Sequence, residues 1–219
     1  MLLEPWVGDM AVLPMFPLGS VLFPHLPLSL RIFEERYLKL LGDLMTADNP
    51  EFGVVLIERG VEVGGEEKRF GIGTIAAVGD IGTTEEFYGL QAVGSQRFRV
   101  NAWLPDDPYP LADIDMLPEL VWDEGLDALR SKTEQTVRKL LAFASEFGDL
   151  QYGADVELSD DPIESSWQLA GILPVGSLDQ LDLLGSATAE ELLTRTLEIA
   201  EVAFDTLTTM MADSEGEEL

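Results

Sequence analysis

The sequence predicts an α+β protein in which a small β barrel with one inserted helix is followed by an α-helical bundle. Three observations support this fold class. Short strand-like segments recur between glycines and prolines in the first half of the chain. A single helical segment interrupts them, and beyond Pro118 the apolar residues recur at helical spacing. We therefore expect a barrel at residues 1–118, a helical part at residues 119–212 and an acidic, disordered tail at residues 213–219.

The strands are predicted from apolar patterns and turn residues. From Leu13 to Tyr37, apolar residues alternate with prolines, which lack a backbone N–H and are excluded from central ladders. This stretch is therefore expected to form short extended pieces joined by tight corners. The predicted strands are Val12–Phe16, Leu28–Ile32, Gly53–Glu58, Gly71–Val78, Tyr88–Val93, Ser95–Leu104 and Leu111–Met116. Within the sixth, alternation predicts Phe98 on the core face and Arg97 and Trp103 on the wetter face.

The helices are predicted from apolar spacing and capping residues. The inserted helix starts at Glu34 and Glu35, where the helix dipole favours acidic side chains, and ends near Thr46–Asn49. A long amphipathic helix is expected from about Trp122 to Phe147. Capping residues predict the starts of three further helices: Asp161 with Pro162 and Glu164, Ser177 with Gln180, and Thr188 with Glu191. The last helix carries an apolar seam at heptad-like spacing, which predicts an internal packing face: Leu193, Leu197, Ala200, Phe204, Leu207 and Met211.

Charge and composition restrict the possible partners. The 219 residues include 41 acidic and 13 basic side chains, which gives a net charge of −28. Nucleic acids and anionic lipids are bound through lysine and arginine, so we expect neither as a partner. No apolar run approaches the roughly 20 residues that cross a bilayer, and no signal peptide is apparent. The absence of cysteine is consistent with a cytoplasmic protein.

The sequence contains no recognisable catalytic motif. A phosphate-binding loop needs a Gly-Lys pair, which does not occur, and there is no cysteine nucleophile and no Ser–Lys signature. His25 is the single histidine, which makes a zinc site improbable, and its place on the proline-rich corner favours a structural or exposed role. In a chain with 41 acidic residues, some carboxylates are adjacent by chance, so such pairs do not indicate acid–base catalysis or a metal site. We therefore expect a non-catalytic protein without metal or cofactor.

A few cationic residues stand out in this acidic chain. Arg97 and Arg99 flank Phe98 on a predicted strand, and Arg36 follows two glutamates at the start of the inserted helix. One interpretation is local ion pairing. The other is a contact patch in which arginines and nearby aromatic rings bind a peptide.

Several motifs resemble one family. The segment LPMFPLGSVLFPHLPLSLRIFEERY at residues 13–37 resembles the opening of the Lon protease N-terminal (substrate-binding) domain, with IFEERY where IFEPRY is common in the family. The segments FGVVLIERGVEVGG, FGIGTIAAV, GLQAVGSQRFRV, DDPYPLADIDMLPE and ILPVGSLDQLDLLGSATAEELLTRTLEIAEVAF are similar to later parts of that domain, in the family's order. The resemblance covers about residues 10–210. It implies a PUA-like β pseudo-barrel with one inserted helix, followed by an α-helical bundle.

The resemblance also implies a function. It implies a non-catalytic module that recognises exposed apolar segments of client proteins. Because the chain ends before the family's ATPase and peptidase domains, we expect a stand-alone protein that can work with a separate protease. The candidate peptide-binding residues are Phe33, Glu34, Glu35, Arg36, Tyr37, Arg97 and Phe98. Two alternatives remain open: an adaptor or oligomeric scaffold, and a PUA-like small-molecule or RNA-binding module.

Overall fold

The computed structural model describes residues 11–57, 68–83, 87–148 and 150–217. Six strands come first, with one helix between the second and third; they are β1 (Ala11–Leu18), β2 (Pro27–Ile32), β3 (Glu51–Ile57), β4 (Arg69–Thr83), β5 (Tyr88–Leu104) and β6 (Leu111–Met116). The helices are α1 (Glu35–Leu44), α2 (Asp127–Ala144), α3 (Pro162–Gly171), α4 (Ser177–Leu184) and α5 (Ala189–Glu217), and a short 3-10 turn at Glu124–Leu126 precedes α2. This arrangement confirms the predicted α+β class.

The strands close into a barrel with one attached strand. Their order is β2-β5-β4-β3-β1-β6, and an additional pairing of β5 with β6 closes the ring. Strand β1 runs parallel to β3, and the remaining pairs are antiparallel. The long strand β5 pairs along one edge with β4; along its other edge it pairs first with β2 and then with β6. Strand β2 therefore extends the barrel wall without joining the ring.

Strand β5 corrects two expectations. We predicted separate strands on either side of Gly94, but one strand runs through it. In addition, the register shifts between Val100 and Ala102. A bulge inserts one residue and exchanges the two faces beyond it. Trp103, predicted on the wetter face, therefore packs against the barrel core.

The helix boundaries agree with the capping analysis at two sites and differ at a third. Asp161 accepts hydrogen bonds from the amides of Ile163 and Glu164, as an N-cap should. The amide of Glu191 donates to the Thr188 hydroxyl at 3.1 Å. The predicted cap at Ser177 is wrong, because Gly176 occupies the N-cap position of α4 and offers no side chain.

The long helices differ from the predictions at their ends. Helix α2 begins five residues after Trp122, because the 3-10 turn comes first. Helix α5 continues through residues 213–217, where we expected a disordered tail. The division of the barrel from the helical part at residue 118 stays a prediction.

Three apolar clusters hold the fold together. Alternate residues of the barrel strands contribute to two of them: Met15 lies in one, and its neighbour Phe16 packs with α1 in the other. The third cluster lies among the helices and includes Phe23 and Leu26 from the β1–β2 corner. Barrel and helices therefore share apolar core. Within the described ranges, no helix is both long and apolar enough to cross a membrane.

Candidate functional site

Strand β2 presents a free backbone edge. In the part of the chain that the structure describes, it pairs only with β5. The amide of Gly94 donates to the carbonyl of Leu26 at 2.9 Å. Because backbone groups alternate in direction along a strand, every second residue after Leu26 also bonds towards β5. The residues between them direct their backbone groups away from the sheet, and these are Pro27, Ser29 and Arg31.

The start of β2 is fixed by a tight corner. The amide of Leu26 donates to the carbonyl of Phe23 at 3.3 Å, which closes a four-residue turn around Pro24 and His25. His25 has a φ of 61°, and a positive φ after proline is typical of a type II turn. The His25 amide also donates to the carbonyl of Gly94, so His25 and Leu26 together oppose one residue of β5. This is the pattern of a G1 bulge, which normally has glycine at the first position.

Aromatic side chains gather at the other end of β2. Phe33 follows the strand directly, and 69% of its surface is exposed. Tyr88, the register partner of Ile32, is 41% exposed. The guanidinium of Arg31 lies 5.2 Å from the centre of the Phe87 ring. An apolar and aromatic surface therefore lies where β2 passes into α1.

The charged residues of this junction form an open depression. Glu34 is the N-cap of α1, and Arg36 donates to its carboxylate at 3.1 Å. Glu35 lies in the first turn. With Lys39 and Pro108, these residues line a shallow space of about 660 Å³. The structure therefore brings together four of the predicted site residues: Phe33, Glu34, Glu35 and Arg36.

Tyr37 must be removed from the candidate surface. Only 4% of its surface is exposed, and its ring stacks on Phe16 with the ring centres 3.9 Å apart. Arg36 covers the Tyr37 ring at 4.6 Å. Tyr37 lies on the helix face that packs into the core, so its contribution is structural.

Two bridging carboxylates support this end of the barrel. Asp43 accepts hydrogen bonds from Lys39 at 2.5 Å and from Tyr109 at 2.9 Å, and these bonds lower the pKa of Asp43. Asp106 accepts two hydrogen bonds from Arg69, which lower the pKa of Asp106. Desolvation raises the pKa of Tyr109. The loop before β6 is thereby tied to α1 and to β4.

A small slot with a mixed polar and apolar lining lies at the Pro27 end of β2. Its volume is about 120 Å³. Leu18 at the end of β1 and Val21, three residues beyond it, line the slot together with Leu28, and Tyr152 contributes from the helical half. Desolvation raises the pKa of Tyr152, in keeping with its half-buried position. The slot and the aromatic junction therefore lie at opposite ends of the same strand.

Arg97 and Phe98 are also buried, which corrects their predicted role. Phe98 is fully enclosed in the barrel core. Arg97 is 5% exposed and donates to the carbonyls of Leu184 at 2.8 Å and Ser186 at 2.7 Å. Burial lowers the pKa of Arg97. Arg97 also lies nine residues beyond Tyr88 on β5, on the order of 30 Å of strand. Neither residue offers a surface to a peptide, and Arg97 instead joins the barrel to the helices.

A cleft between barrel and helices has a different character. It encloses about 550 Å³ beside Arg97 and Trp167. His25 and Glu164 face each other there, with Nδ1 and Oε1 3.6 Å apart. Within the described ranges, no three histidine or carboxylate side chains are grouped closely enough to hold a metal ion.

The architecture defines a class of protein. A crystal structure of a Lon N-terminal domain protein from Xanthomonas campestris has a TM-score of 0.63 and 24% identity, and the alignment covers 86% of this chain and 98% of that one. The N-terminal domain of a Mycobacterium avium complex Lon protease has a TM-score of 0.61 and 11% identity, covering 89% and 98%. The fold is therefore that of Lon N-terminal domains, as predicted.

The sequence comparison identifies the family. The chain belongs to the ATP-dependent protease La (LON) substrate-binding domain family, which it matches over residues 12–201. It is 30% identical over 138 residues to Lon protease 2 of Sorangium cellulosum (strain So ce56); the match covers 61% of this chain and 17% of that protein. The chain is thus a substrate-binding module, and the matched family is a binding domain rather than a catalytic one.

Sequence reasoning missed part of this site. The slot near Pro27 combines residues that are more than 120 positions apart, so no local pattern could indicate it. The direction of the β2 backbone was missed as well, because the bulge at His25 sets it. A signal was available there, since a proline followed by a turn and a short strand is typical of an edge.

Proposed function

We propose that this chain recognises exposed apolar segments of client proteins. The observation that carries the proposal is the 69% exposed Phe33 at the end of an edge strand. Phe87 and Tyr88 lie at the same end of the β2–β5 ladder. Aromatic side chains supply most of the binding energy in protein interfaces, because they bury a large area for a small loss of side-chain entropy. Family membership supports a protein as the ligand.

The test compares unfolded with folded clients. Labelled casein is titrated with the full chain, and its fluorescence anisotropy should report saturable binding. Unlabelled unfolded casein should compete for this binding, and a native globular protein should not. Phe33→Ala should weaken this binding about tenfold, because it removes an aromatic contact. Failure of unfolded casein to bind would overturn the proposal.

A matched control is available in the segment that follows β6. Val121 is 82% exposed and lies five residues after the end of β6. Val121→Ala should leave casein binding within about twofold of the parent. Both residues are exposed, so neither substitution should shift the thermal unfolding transition. Equal losses in the two variants would mean that binding is non-specific.

We also propose that the chain acts with a protease and has no peptidase activity of its own. The relative that contains a similar segment is a protease, which supports a client that is later cleaved. Casein incubated with the pure chain, with and without ATP, should remain intact. Crosslinking in a cell extract that contains a client should capture the chain, the client and a protease together. Cleavage by the pure chain would contradict this proposal.

A further inference from the structure

We propose that clients bind by adding an extended strand to the free edge of β2. This inference rests on the proposed function and specifies the conformation and chemistry of the client. The predicted occupant is an extended apolar segment that also carries lysine or arginine. Four features of β2 and its surroundings support it.

The first feature is a set of backbone groups that point away from the sheet at regular spacing and that no described strand pairs with. Ser29 and Arg31 direct both N–H and C=O away from β5, and Pro27 directs its carbonyl the same way. Among the described residues, no strand other than β5 pairs with β2. An added strand satisfies such groups through main-chain hydrogen bonds, whatever its side chains are.

The second feature is protection against uncontrolled pairing. Edge strands that must not aggregate carry proline, charge or a bulge. Strand β2 has Pro27 at an outward position, Arg31 along the edge and the His25 bulge at its start. The pairing-competent part is therefore limited to about four residues, which suits a short segment bound reversibly.

The third feature is the slot at the Pro27 end. Leu18, Val21 and Leu28 line it together with the polar residues Ser20, Gln151 and Gln180, and about 120 Å³ accommodates one side chain. Pro27 and Leu28, the first two residues of β2, also line the slot, so it lies at the start of the strand. A segment lying along the edge therefore reaches this slot at one end and Phe33 at the other. Six residues of strand separate the two contacts by about 20 Å.

The fourth feature is charge. The chain carries a net charge of −28, and Glu34 and Glu35 stand at the Phe33 end of the edge. Arg31, Arg36 and Lys39 lie at the same end, and Arg36 pairs with Glu34, so the attraction comes from the charge of the whole chain. A client segment that carries basic residues is attracted, and an acidic one is repelled. Complementarity of charge therefore selects among apolar segments without fixing their direction along β2.

The test begins with the unmodified chain and synthetic peptides. The probe is a peptide of about a dozen residues with a leucine and valine core and two lysines at one end. Binding should slow hydrogen exchange at the Ser29 and Arg31 amides. Two further peptides are methylated on either the odd-numbered or the even-numbered backbone nitrogens. One of them should bind at least tenfold more weakly than the unmodified peptide, and the other should lose much less affinity. Replacing the lysines with glutamates should also weaken binding.

Proline variants of the edge provide the second test. Ser29→Pro removes an outward N–H and should weaken peptide binding about tenfold with the fold retained, since prolines are tolerated at such edge positions. Ser29→Ala keeps the N–H and serves as the matched control. If Ser29→Pro does not fold, the exchange and methylation experiments still decide.

The outcomes separate this inference from the proposed function. If the peptide binds and Phe33→Ala weakens it, but amide exchange, backbone methylation and Ser29→Pro have no effect, strand addition is wrong and apolar recognition stands. If neither the peptide nor unfolded casein binds, both are wrong. Strand addition is supported if hydrogen exchange slows at the Ser29 and Arg31 amides and if only one of the two methylated peptides loses most of its affinity.

Discussion

The guanidinium of Arg97 lies 4.7 Å from the centre of the Trp167 ring and joins the barrel to helix α3. Arg97 also bonds to carbonyls on either side of the barrel–helix boundary, including that of Pro118 at 3.0 Å. In the described part of the chain, no carboxylate pairs with it. Its charge is therefore stabilised by carbonyl dipoles and by the face of an indole.

Arg97→Lys should destabilise the protein by about 2 kcal/mol, because an ammonium group cannot reproduce the planar fork that reaches three carbonyls. Arg97→Ala should cost about 3 to 5 kcal/mol, since it leaves buried carbonyls without donors. Urea unfolding measures both. Arg99→Lys, two residues along the same strand and exposed, should change the free energy of unfolding by less than about 0.5 kcal/mol.

At position 25, glycine should be more stable than alanine by about 1 kcal/mol, because the φ of 61° disfavours any residue with a Cβ. His25→Gly and His25→Ala can be compared by thermal unfolding. The same pair at Ser20, which has no positive φ, should give the opposite order. Equal stabilities at position 25 would argue against the turn and bulge described for this corner.

Asp161→Ala should destabilise the protein by about 1 kcal/mol, because it removes the acceptor for the amides of Ile163 and Glu164 at the start of α3. Asp161→Asn should retain most of the stability, since asparagine is an equally good N-cap. Asp160→Ala is the neighbouring control. Chemical denaturation of the three variants gives the comparison, and similar losses for both alanine variants would contradict a capping role.

The free energy of unfolding should fall as the pH drops below about 4. The pKa values of Asp43 and Asp106 are lowered in the folded protein, so both carboxylates stabilise it above their unfolded pKa, and this contribution is lost as the pH falls through the folded values. The double variant Asp43→Asn, Asp106→Asn should therefore lose less of its free energy of unfolding at low pH than the parent, as measured by urea unfolding. Parallel pH profiles for parent and variant would show that other groups cause the loss.

Local patterns were enough for much of the fold. The strand β6 was predicted with its observed bounds, and Asp161 and Thr188 were predicted as helix starts, because alternation and capping depend on neighbouring residues. The face of Trp103 was predicted wrongly. A bulge depends on the partner strand, which the sequence of one strand does not contain.

The candidate site was predicted in part for the same reason. Phe33 to Arg36 follow one another in the chain, so the sequence could group them. Arg97 was wrongly predicted to contact a peptide. An arginine on a strand has the same neighbours in the sequence whether it binds a ligand or donates to buried carbonyls. Its partners at Leu184 and Ser186 are nearly 90 positions away.

By itself, the sequence determined the succession of barrel strands, inserted helix and helical bundle, together with the Lon family relation, because apolar period, turn residues and caps are local properties. Tertiary structure decided which backbone groups of β2 face outward, which aromatic rings remain exposed and which cations are buried. Those properties depend on register and on contacts between distant segments, and they arise only when the chain closes on itself.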